Sequence, residues 1–239
     1  MLKDIFHELA NDTTAITSRG EGDAYLARTA KQYGLTNITY LGINIPVVGL
    51  EHGVYATTTY SLDWQARYAS RDYLKIDPVI RRGLQRIIPL DWADFGKDDR
   101  RVAQFFGEAR EFGVGNQGLT IPIRGVNGET ALFSINRECP DREWLAFRRE
   151  HMAQFQLMAY YFHDNVLNRE GFANDPLTLS DRQKEVLKWA ASGKTEWETG
   201  TIIGLSARTV KYHLSGAMVC LRAVNKVHAV ARAVRLGLI

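Results

Sequence analysis

The chain has 239 residues, 45% hydrophobic and 24% charged, a composition that excludes a disordered chain, a collagen-like repeat and a disulfide scaffold. At roughly 100–200 residues per domain, this length holds one large domain or two small ones. The net charge of +3 conceals an uneven distribution: from Asp175 onward ten Lys/Arg stand against five Asp/Glu, a net +5, and the preceding residues carry −2.

The N-terminal residues include Asp4, Glu8 and Asp12, and no run of about 18 apolar residues occurs anywhere, so neither a signal peptide nor a membrane span is expected. The expectation is a cytoplasmic protein without a membrane partner. Asp23 to Tyr33 reads as a helix closed by Gly34, followed by a strand over Asn37 to Ile45 and a second over Val54 to Thr59. Helices are expected at Leu62 to Arg71, Pro78 to Arg86 and Asp98 to Phe112. Tyr60, Trp64 and Tyr68 are four apart, so any helical part puts them on one face; on their own they read equally as core packing. Asp77 before Pro78 is an N-cap followed by proline at the first helical position. Leu119 to Arg124 and Thr130 to Asn136 flank a turn at Asn127-Gly128, a strong hairpin signal. Antiparallel strands among helices imply a sheet covered by helices. Asp141 to Asn168 is one long amphipathic helix, with Trp144, Phe147, Phe155, Met158, Phe162 and Val166 at helical spacing.

Gly, Asn, Asp and Pro cluster in REGFANDPL, residues 169 to 177, which marks a linker. Beyond it, Ser180-Asp-Arg-Gln183 and Thr195-Glu-Trp-Glu198 are capping boxes that open two helices. Gly193 ends the first helix, and the second reaches about Ile203. Gly204-Leu205 makes a tight turn and Ser206 caps a third helix carrying Val210 and Leu214. Short helix, glycine turn and longer helix form a helix-turn-helix pattern. Its second helix offers Arg208, Thr209, Lys211 and Tyr212 to bases or phosphates, in a stretch from Ile203 onward with six basic residues and no acidic one. A helical hairpin packing only on its own domain is the plain alternative. Asn225 caps a last helix whose stripe Val227, Val230, Ala231 and Val234 reads as core or as a dimer face. Cys139 and Cys220 match no metal-ligand spacing, so two free thiols and no metal are expected.

The run LTLSDRQKEVLKWAASGKT, then IIGLSARTVKYHL, then NKVHAVARAVRLGLI resembles the DNA-binding domain of LuxR-type transcription regulators over residues 177–239. Glu185, Leu187, Gly193, Lys194, Ser206, Thr209, Val210, His213 and Leu214 match the family most tightly. The DNA-facing set implied is Lys194, Thr195, Ser206, Arg208, Thr209, Lys211, Tyr212 and Lys226. Two positions depart from the family pattern. Gly200 stands where Ala is usual, and a helix-interior glycine costs about 1 kcal/mol relative to Ala. Cys220 stands where a Lys is common.

Upstream, Tyr60, Trp64, Tyr68, Asp77-Pro78 and Trp92, with GLTIPIRGVNGETALFS, resemble the autoinducer-binding domain of quorum-sensing LuxR-type regulators over roughly residues 20–165. The resemblance implies an N-acyl-homoserine lactone as signal ligand: one amide N–H, two carbonyls and an apolar tail. For such a ligand Asp77 would accept the amide N–H, Trp64 would donate to the lactone carbonyl and Tyr60 to the acyl carbonyl. Ser134 would contact the same carbonyl or a 3-substituent, and Tyr68, Trp92 and Phe105 would wall the cavity.

The fold expectation is α+β: an N-terminal α-β-α sandwich with an antiparallel sheet over residues 1–168, a linker at 169–176, and a C-terminal all-α four-helix helix-turn-helix domain over 177–239. The functional expectation is a quorum-sensing transcription regulator that binds the lactone and, as a homodimer, DNA at a two-fold operator, with no cofactor. The nearest alternative is a regulator of the same type answering another small molecule or none. An enzyme is not expected, since HExxH, GxSxG and a paired Cys/His cluster are all lacking.

Overall fold

A computed structural model describes residues 9–43, 45, 54–95, 99–125, 129–170 and 178–239. Among the described residues, the packing separates one compact unit, residues up to 124 and 129–170, from a second that holds residues 178–239.

The first unit is built on strands β1 (Asn37–Ile43), β2 (Val54–Thr58), β3 (Leu90–Asp91), β4 (Gln117–Arg124) and β5 (Thr130–Arg137). They form one antiparallel sheet in the order β2-β1-β5-β4-β3. Its helices are α1 (Arg19–Tyr33), α2 (Leu62–Ser70), α3 (Pro78–Gly83), α4 (Arg100–Glu111) and the 29-residue α5 (Asp141–Arg169). β4 and β5 are buried on both faces, which an antiparallel sheet requires only when helices cover both sides.

Successive strand residues face opposite sides, and the two sides here differ in chemistry. Ile38, Tyr40, Ile121, Phe133 and Ile135 pack with Leu26 of α1 and Phe155 and Phe162 of α5 in the main apolar core. Thr39, Leu41, Thr58, Leu132 and Ser134 face the other way, toward α2, α3 and α4. The register aligns Thr58, Thr39, Ser134 and Thr120 as a row across four strands.

Several ends differ from the sequence expectation by local chemistry. α1 starts four residues earlier than expected, because Ser18 and Glu21 form a reciprocal capping box. α3 stops at Gly83 and not Arg86, and β1 ends at Ile43. Arg169, expected to open the linker, is the last residue of α5; its guanidinium donates to the Tyr55 hydroxyl and to the Ser18 carbonyl. The Asn127-Gly128 turn, Asp98 and linker residues 171–176 lie outside the described residues.

The second unit has helices α6 (Asp181–Ala191), α7 (Glu196–Ile203), α8 (Ala207–Cys220) and α9 (Lys226–Arg235). Both expected capping boxes are present. Gly204, at φ 70°, closes α7 in the left-handed region, where a side chain is strained. Val186, Leu187, Val210, Leu214, Ala217, Leu221, Ala229 and Ala233 form the core. On α9 the core reading of the expected stripe holds only for Val230, which packs partly buried against the core beside the fully buried Ala229 and Ala233; Val227 is 77% exposed, Val234 is 56% exposed and Ala231 is exposed too.

Gly200 also has a packing reason that helix propensity does not contain. A Cβ there would lie 2.5 Å from the Leu205 carbonyl oxygen, while the Leu205 N–H donates to the Gly200 carbonyl at 2.8 Å. The turn closes onto a residue that must lack a side chain. Gly200→Ala will therefore destabilise the second unit by about 1–3 kcal/mol, measured by urea unfolding. Helix propensity alone would give a gain of about 1 kcal/mol.

Candidate functional site

Between the hydroxyl-bearing face of the sheet and helices α2, α3 and α4 lies a cavity of about 250 Å³, small for a ligand pocket, which typically spans some 300–1,000 Å³. All seven N-terminal residues singled out in the sequence line it: Tyr60, Trp64, Tyr68, Asp77, Trp92, Phe105 and Ser134. Trp64 is the centre of an aromatic cage, with ring centroids of Tyr68, Tyr73, Phe105 and Phe112 all 5.7–6.0 Å from its own. The Glu108 carboxylate clamps α2 to α4 by accepting from Arg67 Nε at 2.9 Å and from the Tyr73 hydroxyl at 2.7 Å.

Asp77 performs both roles its sequence context allowed: it caps α3 and it faces the cavity. Its Oδ1 accepts from the backbone N–H of Val79 at 2.7 Å and of Ile80 at 3.4 Å, and its Oδ2 accepts from the Tyr68 hydroxyl at 2.8 Å. Burial pushes its pKa up to about 6, against the lowering effect of those three donors. Burial also raises the phenols of Tyr60 and Tyr68 well above their ordinary range, so both remain protonated. The Trp64 indole N–H has no acceptor among the described residues.

The sheet supplies further polar groups. Asn136 Nδ2 donates to the Tyr60 hydroxyl at 3.2 Å. The Thr39 and Thr58 hydroxyls pair at 2.6 Å, and Trp92 Nε1 donates to Thr120 Oγ1 at 2.9 Å. Trp92 lies flat on β4 because Gly118 leaves room: a Cβ there would be 2.1 Å from the indole ring. Thr39, Thr58, Thr120 and Gly118 escaped the sequence reading, since they matter only through strand pairing.

In the second unit α7, the Gly204-Leu205 turn and α8 form the helix-turn-helix. Arg208, Lys211 and Tyr212 are exposed on the first turns of α8. Thr195, Ser206 and Thr209 are engaged in capping: Thr195 with Glu198, and Ser206 with the Thr209 N–H at 3.1 Å and hydroxyl at 2.8 Å. Lys226 differs from a free cation, because its Nζ donates to the Lys194 carbonyl at 3.1 Å and to Glu196 Oε1 at 3.3 Å.

Residues 21–166 match the autoinducer binding domain, and residues 177–233 match the bacterial regulatory proteins of the luxR family. The chain belongs to the LuxR family of autoinducer-binding transcription regulators. Among its relatives, the transcriptional activator protein RaiR of Rhizobium etli is 36% identical over 161 residues, 66% of each chain. AnoR of Acinetobacter nosocomialis, likewise a transcriptional activator protein, is 31% identical over 88% of this chain and 89% of its own length. The fold is that of Escherichia coli SdiA, with a TM-score of 0.75 at 22% identity over 100% of this chain and 99% of that one. A second SdiA structure, in complex with octanoyl-rac-glycerol, gives 0.73 at 22% identity over 99% and 96%. The family joins a DNA-binding domain to a small-molecule domain. Among the described residues no helix is long and apolar enough to cross a membrane, and no group of three or more His, Cys, Asp or Glu is arranged to hold a metal.

A carboxyl whose pKa folding raises takes up a proton on folding. Asp77 therefore favours the folded state below the ordinary carboxyl value of 3.8 and loses that contribution as pH climbs through about 6. A carbon-13 titration of the ligand-free protein should show an Asp77 midpoint near 6. Tyr68→Phe removes a donor to the ionised form and should raise it further; a midpoint near 3.8 would contradict the assignment.

Proposed function

We propose that this LuxR-family chain is a cytoplasmic quorum-sensing regulator that binds an N-acyl-homoserine lactone in the N-terminal cavity and, as a homodimer, a two-fold operator through α8. The observation that carries the ligand is the pairing of one acceptor with one unused donor in an apolar cage. The Asp77 carboxylate matches the amide N–H of such a lactone, and the free Trp64 indole N–H matches a carbonyl. Tyr60, held protonated and already accepting from Asn136, has its own hydrogen for the second carbonyl. Leu41, Ala56, Val79, Ile80 and Leu132 line the same cavity and receive the acyl chain, each buried methylene contributing about 0.8 kcal/mol.

A second reading, a regulator of the same type answering another acyl compound, draws on SdiA, whose bound octanoyl-rac-glycerol has hydroxyls in place of an amide N–H. Thermal shifts with N-octanoyl-homoserine lactone and with octanoyl glycerol separate the two. Under the first reading the lactone stabilises the protein more, and Asp77→Asn weakens lactone binding about 10- to 150-fold, the range for a hydrogen bond to a charged group. An unchanged affinity in that variant would reject the assignment.

For DNA, the exposed Arg208 is read as a contact to a base or phosphate, so Arg208→Ala should cost about 1–3 kcal/mol in operator binding. Lys226→Ala should cost less, since Lys226 is already paired with Glu196. The homodimer is assigned to α9, where Val227, Ala231 and Val234 leave an exposed apolar stripe at i, i+4, i+7. Val227→Glu with Val234→Glu should give a monomer by light scattering and lose affinity for a two-fold site. A dimer persisting in that variant would place the interface elsewhere.

A further inference from the structure

Thr120 on β4 is completely buried and sits between two groups of the cavity. Its Oγ1 accepts the Trp92 indole N–H at 2.9 Å and lies 2.9 Å from Ser134 Oγ. The direction of that second bond follows from counting hydrogens. An indole N–H only donates, so Thr120 is the acceptor in the first bond and still has its own hydroxyl hydrogen to place. Among the described residues the acceptor recorded for it is Ser134 Oγ, and a buried hydroxyl hydrogen left without one costs about 1–3 kcal/mol. Thr120 therefore donates to Ser134. The Ser134 hydroxyl, which lines the cavity, keeps its own hydrogen for whatever occupies that space. A chain of bonds running one way also polarises its last donor.

We propose that Thr120 is a positioning residue: held by Trp92, it fills one lone pair of the Ser134 hydroxyl and leaves that hydroxyl's hydrogen to the cavity, so this point favours an acceptor oxygen on the acyl part of the ligand over a donor. Trp92, expected from the sequence only as a wall, is the first link of this relay. The inference rests on the reading of the cavity as the ligand site.

The test is calorimetric titration of the full chain with N-octanoyl-homoserine lactone, in wild type, Thr120→Val, Thr120→Ser, Ser134→Ala and the Thr120→Val/Ser134→Ala double variant. Thr120→Val should weaken binding about tenfold, as for the loss of one neutral hydrogen bond. It should have no further effect in the Ser134→Ala background, and Thr120→Ser should restore wild-type affinity. Thr120→Cys gives a second route if Thr120→Val does not fold: a thiol is only a weak donor, so its loss should again be confined to proteins that keep Ser134. Equal losses with and without Ser134, or no loss at all, would overturn the relay while leaving the ligand class intact. A wild-type protein that binds no lactone would overturn the ligand reading and the relay together. Repeating the series with the 3-oxo-octanoyl compound identifies the oxygen. A Ser134→Ala loss of the same size for both lactones assigns the acyl carbonyl, and a larger loss for the 3-oxo compound assigns the substituent.

Discussion

A carboxylate taken out of water in an apolar cage is the constraint around which the first unit is arranged. Burial of Asp77 works against its charge, and a buried charge persists only when hydrogen bonds replace its hydration. Two donors are backbone N–H groups at the start of α3, so the helix itself supplies part of the compensation. The third is the Tyr68 hydroxyl, which ties α2 to α3 across the cavity. Moving either helix would strand the carboxylate, and so the cage and the charge hold one another in place. Protonation near pH 6 is the other way to relieve that cost, which makes this site sensitive to acid in a range where ordinary carboxylates are not.

The sheet couples this cavity to the rest of the unit. Because side chains alternate, β1, β2 and β5 contribute Ile38, Tyr40, Tyr55, Phe133 and Ile135 to the core under α5 and Thr39, Leu41, Ala56, Thr58, Leu132 and Ser134 to the cavity. Core and cavity are thus two faces of the same three strands. Tyr40 on the core face and Thr39 on the cavity face are adjacent residues, and a one-residue slip of β1 would exchange them. Strand register accordingly protects the site as strongly as the core.

The local parts of this architecture were legible in the sequence. The capping boxes at Ser180 and Thr195, the glycine turn at Gly204 and the Asp77-Pro78 helix start depend on residues within four positions of one another. Periodicity placed Val227, Ala231 and Val234 on one face of α9, but it could not tell that Ala229 and Ala233, smaller and at the same spacing, were the residues taken into the core. The row Thr58, Thr39, Ser134 and Thr120 was not legible at all. It exists only through pairings between β1, β2, β4 and β5, and Thr39 and Ser134 stand nearly a hundred residues apart. Gly200 was misjudged for a related reason: intrinsic propensity is a property of the helix alone, while the Leu205 carbonyl that excludes a side chain comes from the following turn.

Charge follows the same division of labour. The first unit carries its most consequential charge inside, on Asp77, whereas the second carries an excess of cations outside, with Arg208 and Lys211 exposed on the first turns of α8. Under the proposed function, the buried carboxylate accepts an N–H from a signal molecule. Native mass spectrometry of the full chain, purified from a culture that produces acyl-homoserine lactones, tests it most directly. The account predicts one bound N-acyl-homoserine lactone per chain, absent from Asp77→Asn; a bound molecule without an N–H donor, or the same occupancy in both proteins, would contradict it.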